Sequence, residues 1–530
     1  MKLKATFILT FALLSLFIVF PLCCVALTPR PADFAAVFTS STWRQAALNT
    51  LLECVCSTVL SVGVGYIFAY AVNKAEIPLR RFFGFVPLLH LMTPPFVGGL
   101  SFILLYGRQG FFTKTLLGLD ISLYGFPGLL IAQTLCFFPI AYLICSEVLK
   151  GINPSLEQAA RSMGASRAKI FFTITLPLSL NGILSAALFI SVSVLSDFGN
   201  PLIVAGRFKV LAVEIYTQLT GWVSAGKSCV LGFALLVPSV ALFLLQNHFA
   251  KKRLSMFATV GSKDSSLPGK KSSRLTVALL TVFCAFISFL VVAQFVSIIF
   301  GSVQKLWGVN TTLTWEHLKS MGRFLKEIRN SVFFALLGAL FGTALASLSA
   351  FFVGRTNIIG KRYLDIVSQI PAAVPGSLFG LALSLAAQIL KIRASSVMIV
   401  IAMTIGFMPF SYRIMTSVFG QIKTTLDDGA RSLGADKLCT LNTILLPLSS
   451  GGIFSSFVYD FVRGVGTVSA VIFLVSFKTP LASIKILNLA EQGDWGDSAA
   501  LALVLTVITF SVLAFARGIG KKLINAELKR

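Results

Sequence analysis

The chain has 530 residues, of which 56% are hydrophobic and only 12% charged, about half the ~25% of an average soluble domain, which excludes a soluble globular protein. Its 45 Lys and Arg outnumber 20 Asp and Glu for a net charge of +25. The basic residues collect between apolar stretches, which argues for segments beside anionic headgroups and against nucleic acid as a partner. Nine cysteines without a C-x-x-C, and three histidines (His90, His248, His317) far apart in sequence, give no metal-site spacing.

Apolar runs of about 18 residues or more are candidate membrane-spanning helices. Twelve are read, near 5–27, 46–72, 83–106, 125–146, 181–205, 228–248, 275–300, 329–353, 363–390, 396–418, 451–475 and 498–516. All are longer than the ~10-residue alternating strands of a membrane β-barrel. The first follows Lys2 and Lys4 but is too long for the apolar part of a signal peptide and is not followed by an A-x-A-like cleavage site, so it reads as a retained span. Pro94, Pro95, Pro371 and Pro375 are expected to break or kink the third and ninth spans.

Residues 107–125 read as an external loop. The segment GWVSAGKS at 221–228 fits the P-loop pattern to the letter. A working P-loop needs a preceding strand and a following soluble helix, and here it leads into a membrane span. Gly226 and Lys227 are therefore read as a loop residue and an interfacial anchor, and ATP hydrolysis is expected on other chains. The basic stretch from Lys251 to Arg274 divides a first repeat, 1–250, from a second, 275–530, with 251–274 as a cytoplasmic linker. With the N-terminus inside, twelve spans return the C-terminal Arg517, Lys521, Lys522, Lys529 and Arg530 to the cytoplasm, in keeping with the positive-inside bias.

The two repeats are visible in the residues. EQAARSMGASRAKIFFTITLPL at 157–178 returns as DDGARSLGADKLCTLNTILLPL at 427–448, an offset of 270 from Gly164 to Gly434. LNTLLECVCSTVLSVGVGYIFAYAV at 48–72 parallels RNSVFFALLGALFGTALASLSAFFV at 329–353, with Asn49 against Asn330 at an offset of 281. CFFPIAYLI at 136–144 matches GFMPFSYRI at 406–414. Six spans per half give both halves one orientation, unlike the inverted repeats of many secondary transporters. Within each repeated block, helix formers run up to Gly164 or Gly434, where a left-handed residue would end the helix. Asn153 and Ser155 are N-cap candidates, and Pro177 and Pro447 mark where the next membrane helix begins. The pattern predicts helix–turn–helix, with Ala159 and Ala160 permitting close approach of a partner.

The block resembles the EAA loop of inner-membrane permeases from binding-protein-dependent ABC importers, E-A-A, three residues, G, nine residues, I-x-L-P. Gln158 and Asp428 stand at the glutamate and Gly429 at one alanine, while the spacing is kept at Gly164, Ile174, Leu176 and Pro177, and at Gly434, Ile444, Leu446 and Pro447. The resemblance implies an all-α polytopic membrane protein with about 12 transmembrane helices as two parallel six-helix repeats. It implies a docking site for two cytoplasmic ATPase subunits at Gln158, Ala159, Ala160, Gly164, Asp428, Gly429, Ala430 and Gly434. Cargo would come from a periplasmic binding protein, and the chain would sit in the bacterial inner membrane, in contact with lipid. It would bind no cofactor and perform no covalent chemistry, with ATP used by its partners. Segments 196–222 and 463–500 look like those of ferric-iron-type fused permeases, which makes ferric iron the first substrate expectation, with thiamine, phosphonate, sugar phosphate or polyamine as alternatives. An ion-coupled secondary transporter and a membrane-embedded enzyme are the readings from other classes.

Ionisable groups within spans are costly and usually face a cavity or a partner. Asp197, Arg413, Asp460 and Arg463 are the candidates for the translocation path, with Glu53 beside them; Asp460 and Arg463, three apart, are placed to pair on one helix face.

Overall fold

A computed structural model describes residues 2–527 apart from 76, 92–95, 119–122, 258–272 and 393–394. Pro94, Pro95 and most of the basic linker thus lie outside the described residues. Long helices dominate, because in lipid each backbone N–H and C=O must be satisfied within its own segment. Among the described residues the one β element is a short antiparallel hairpin pairing Gln304–Leu306 with Asn310–Leu313. Among the described residues nine helices are long and apolar enough to cross a membrane, or up to eleven if each bent pair is one span.

The first bent pair, Lys361–Ala372 and Gly376–Ile389, turns through 113° where Pro371 and Pro375 remove backbone donors; this is the break expected for the ninth span. The second, Lys437–Leu448 and Ser450–Val465, turns through 77°. Its counterpart Arg167–Leu195 is one helix; the Ser449-Ser450-Gly451-Gly452 run replaces Ser179-Leu180-Asn181-Gly182 and lowers the cost of a break.

Two spans are shorter than their apolar runs. The run 181–205 stops being one helix at Leu195 and resumes as the short helix Gly199–Val204. The run 451–475 ends at Val465, followed by turns. Hydropathy does not register these stops, because the residues beyond them remain apolar while Asp197, Gly199, Gly466 and Thr467 turn the chain.

The halves carry the same contacts. Asn49 Nδ2 donates to the Lys209 carbonyl at 2.9 Å, and its match Asn330 donates to that of Pro480 at 3.1 Å. The next residues, Thr50 and Ser331, accept from the backbone N–H of Leu211 and Ala482. Gly182 lies against Val148, and Gly452 against Val418 in the same way.

Each half lends its first helix to the other. Lys2–Leu27 packs on Gly376–Ile389 of the second half, with Phe7 edge-on to Phe352 at 5.3 Å and Phe11 at 4.7 Å from Tyr363. Reciprocally, Arg274–Val303 packs on Arg80–Leu91 and Phe96–Tyr106 of the first half, and Trp307 Nε1 donates to the Leu104 carbonyl at 3.0 Å. This exchange ties the repeats into one body.

Close helix approach within the first half depends on Gly65, where a Cβ would overlap Ala141 and the Phe138 carbonyl. Gly65→Leu is expected to part Ser41–Asn73 from Phe126–Gly151 at an overpacking cost of about 1–3 kcal/mol. A lowered melting temperature of the detergent-solubilised protein would register it; an unchanged one would mean the helices have slack.

Candidate functional site: the repeated blocks and the central cavity

Both blocks fold as helix–turn–helix. In the first, the Asn153 side chain accepts from the Ser155 N–H and caps Pro154–Ser162. Gly164 follows at φ +79°, and Ser166 caps Arg167–Ile170. In the second, Thr425–Ser432 leads to Gly434 at φ +85°, and Asp436 caps Lys437–Thr440. Ser155 is therefore a helix residue, and Asn153 is the cap.

A Cβ at Gly164 or Gly434 would meet nothing within 4 Å, so only backbone conformation demands glycine there. Valine at either site is expected to strain the turn by about 1–3 kcal/mol and to lower transport per ATP hydrolysed. The comparison of uptake with hydrolysis in vesicles measures this, and an unchanged ratio in both variants would count against a coupling role.

The eight expected docking residues divide by burial. Gln158 is half-buried; Ala159, Gly164, Asp428, Gly429 and Gly434 are exposed. Ala160 and Ala430 are buried under their helices, so these two pack inward and offer no surface to a partner. The sequence reading passed over the most prominent apolar side chains of each turn. Met163 is 81% exposed and Leu433, its equivalent 270 positions on, is 90% exposed.

It also missed what anchors the blocks. Glu157 Oε1 receives Lys74 Nζ at 3.0 Å, and Asp427 Oδ2 receives Arg355 Nη1 at 3.0 Å. Glu157 and Asp427 are equivalent at offset 270, Lys74 and Arg355 at offset 281. One ion pair therefore occurs twice, one position before the residues aligned with the family glutamate. The two offsets, applied together to opposite charges, would have found it.

A cavity of about 1030 Å³ lies between the halves. Its wall follows the helix Ser450–Val465 from Ser450 through Tyr459 and Arg463 to Gly466 beyond its end. Asp197, Arg413 and Arg463 line it; Asp460 and Glu53 do not. Asp460 is buried, accepting from Ser411 Oγ at 2.8 Å and Thr343 Oγ1 at 3.4 Å. Among the described residues it makes no ion pair with Arg463, because one faces the helices 316–355 and 395–421 while the other faces the cavity.

Glu53 belongs to a buried polar network. Gln133 Nε2 donates to Glu53 Oε1 at 2.6 Å and to Asp197 Oδ2 at 3.1 Å, while Ser57 and Asn200 complete the set. One amide thus bridges two carboxylates and holds Asp197 at the cavity edge. The literal P-loop segment follows the helix Leu211–Thr220 and runs into Ala225–Phe257, without a strand. Gly226 there admits the Asp33 carboxylate, and Lys227 Nζ sits 5.9 Å from the Trp43 ring. One grouping of metal-ligand types, His317, Asp494 and Asp497, occurs among the described residues. Asp494 accepts from the Asp497 N–H, and Asp497 accepts from Ser320 and contacts His317 Nδ1 at 2.8 Å, so these groups fasten the start of the helix from Trp495.

Residues 61–255 and 338–525 each match the family model of the inner membrane component of binding-protein-dependent transport systems. The chain belongs to this family, as a tandem permease. It is 32% identical over 447 residues to a ferric transport system permease from Actinobacillus pleuropneumoniae, across 81% of this chain and 64% of that protein. It is 31% identical over 473 residues to a second such permease, named as putative, from Haemophilus influenzae, across 85% of this chain and 73% of that protein. A molybdenum transport permease of Escherichia coli matches at 29% over 216 residues, 39% of this chain and 93% of the relative. The chain thus spans somewhat under two thirds of the length of the first relative. Family membership makes it a multi-pass inner-membrane component of a binding-protein-dependent transport system.

Proposed function

We propose that this permease imports ferric iron, delivered by a periplasmic binding protein and driven by two separate ATPase subunits seated on the repeated blocks. The observation that carries the reading is 32% identity to a ferric transport permease over 81% of the chain, joined to two blocks of one geometry. Both termini and both blocks face the cytoplasm in this reading; ATP is hydrolysed on the partners and the chain itself holds no cofactor.

The path from block to cavity is short. The second block runs into Ser450–Val465, which lines the cavity along its whole length. The first continues without interruption into Leu176–Leu195, whose Phe189, Val192 and Ser193 line the opposite wall. Closure of the ATPase pair moves both blocks, and each block moves its own wall.

The test is uptake by proteoliposomes holding the chain, its ATPase and its binding protein. ATP-dependent accumulation of radiolabelled ferric iron is expected. Uptake driven by an ion gradient without ATPase would overturn the importer mechanism for this chain. Accumulation of molybdate instead of iron would select the cargo named for the Escherichia coli relative.

A further inference from the structure

The repeat supplies an internal control for the cavity. At offset 270, Leu143 corresponds to Arg413 and Ser193 to Arg463, and all four residues line the cavity. The first half therefore presents an aliphatic and a hydroxyl side chain where the second presents two guanidinium groups. Asp197, the first half's charged contribution, is held by Gln133 and Asn200. Among the described residues no carboxylate lies within ion-pair distance of either arginine: Arg413 Nη2 donates to Asn247 Oδ1 at 2.9 Å and its guanidinium sits 5.5 Å from the Phe243 ring. Arg463 is exposed to the cavity.

Arginine stays charged and offers only donors, in a planar fork that matches oxyanions. Charged side chains within spans are costly and usually face a cavity or a partner, and these two line one wall of the cavity with no carboxylate in ion-pair reach among the described residues. Their spacing is ordered as well. Val418 meets Gly452, Ser411 Oγ meets the Ser456 carbonyl, and Phe410 stacks on Tyr459 with centroids 3.9 Å apart, so helices Ser395–Gln421 and Ser450–Val465 run antiparallel. Arg413 lies three residues past Phe410 and Arg463 four past Tyr459, in opposite directions. At 1.5 Å per residue their Cα positions are offset by about 10 Å along the path, one on each side of the stacked rings, and the Arg463 side chain turns back to hydrogen-bond that of Tyr459.

We propose that Arg413 and Arg463 form two successive anion stations on the second-half wall, so that cargo crosses carrying anionic oxygen ligands. Resting on the ferric reading above, the cargo is ferric iron wrapped by an oxyanion, and a bare trivalent cation is repelled by this wall.

The test replaces the pair by the first half's own residues, Arg413→Leu with Arg463→Ser, in the complete reconstituted importer supplied with ferric phosphate. Uptake is expected to fall about tenfold or more, and to be largely retained in Arg413→Lys with Arg463→Lys, which keeps the charge. Melting temperatures of both variants verify folding. Wild-type or faster iron uptake in the Leu/Ser variant would overturn the proposal, as would equal loss in the Lys variant, since charge would then not be the determinant. If the unaltered importer moves no iron but moves molybdate, and the Leu/Ser variant loses that, the ferric reading fails while the anion stations stand.

Discussion

Glutamate in place of both Met163 and Leu433 is expected to strip the ATPase subunits from the permease. These side chains are 81% and 90% exposed at equivalent turns, with no role in the chain's own packing that such exposure would permit. Apolar side chains this exposed on a polar turn make sense as plugs for a partner's pocket. A carboxylate buried in such a pocket without a partner keeps its desolvation penalty, about 2 kcal/mol or more per turn, or roughly 30-fold in affinity at each. Copurification with a tagged permease reads this directly: wild type and Met163→Leu with Leu433→Met retain both ATPase subunits, the double glutamate variant retains few or none. Full retention in the glutamate variant would move the docking surface elsewhere on the blocks. Single variants separate the two sites, because in the proposed docking one intact turn is expected to hold one subunit.

Much of the architecture was legible because a repeat states it twice. Gly164 and Gly434 adopt the left-handed conformation their position required, and Asn49 and Asn330 make equivalent contacts. What escaped was whatever depends on neighbours distant in sequence. The exchange of first helices could not be seen, since Phe7 and Phe352 share no pattern along the chain. Asp460 and Arg463 are three apart and close in direction, yet Ser411 and Thr343 draw Asp460 into the helix bundle and leave Arg463 to the cavity. Ala160 looked like a contact residue because it is small, and Ala430 because the EAA pattern places it in the docking set, but a small side chain equally suits a buried helix face. Apolar runs overshot the fifth and eleventh spans because hydropathy averages across the turns at Asp197 and Gly466. The two ion pairs at the blocks were present in the letters; finding them needed both repeat offsets at once.

Arg355→Ala is expected to loosen the second block more than any equivalent change loosens the first. The Arg355 side chain is 6% exposed. Besides its ion pair with Asp427, it donates to the carbonyls of Phe419, in the last turn of Ser395–Gln421, and of Ile422 just past its end, where carbonyls have no partner within the helix. Alanine leaves the Asp427 carboxylate and the Ile422 carbonyl without this donor, while the Phe419 carbonyl keeps the Ile422 N–H, a loss of about 3–5 kcal/mol for a buried charge pair broken from one side. Lys74, its counterpart, holds Glu157 through a single contact at 3.0 Å with both side chains about 15% exposed. Lys74→Ala is accordingly expected to cost less, about 1–2 kcal/mol. Hydrogen exchange over 425–448 and 154–178 measures both, with Arg355→Ala accelerating the former selectively. Arg355→Lys should recover the pairing with Asp427 but not both carbonyl bonds, giving an intermediate rate, because an ammonium cannot span the three acceptors that the guanidinium fork reaches. If all three variants exchange like wild type, the blocks are held by their helical continuity with the spans, and the paired charges contribute nothing to carrying their motion into the cavity walls.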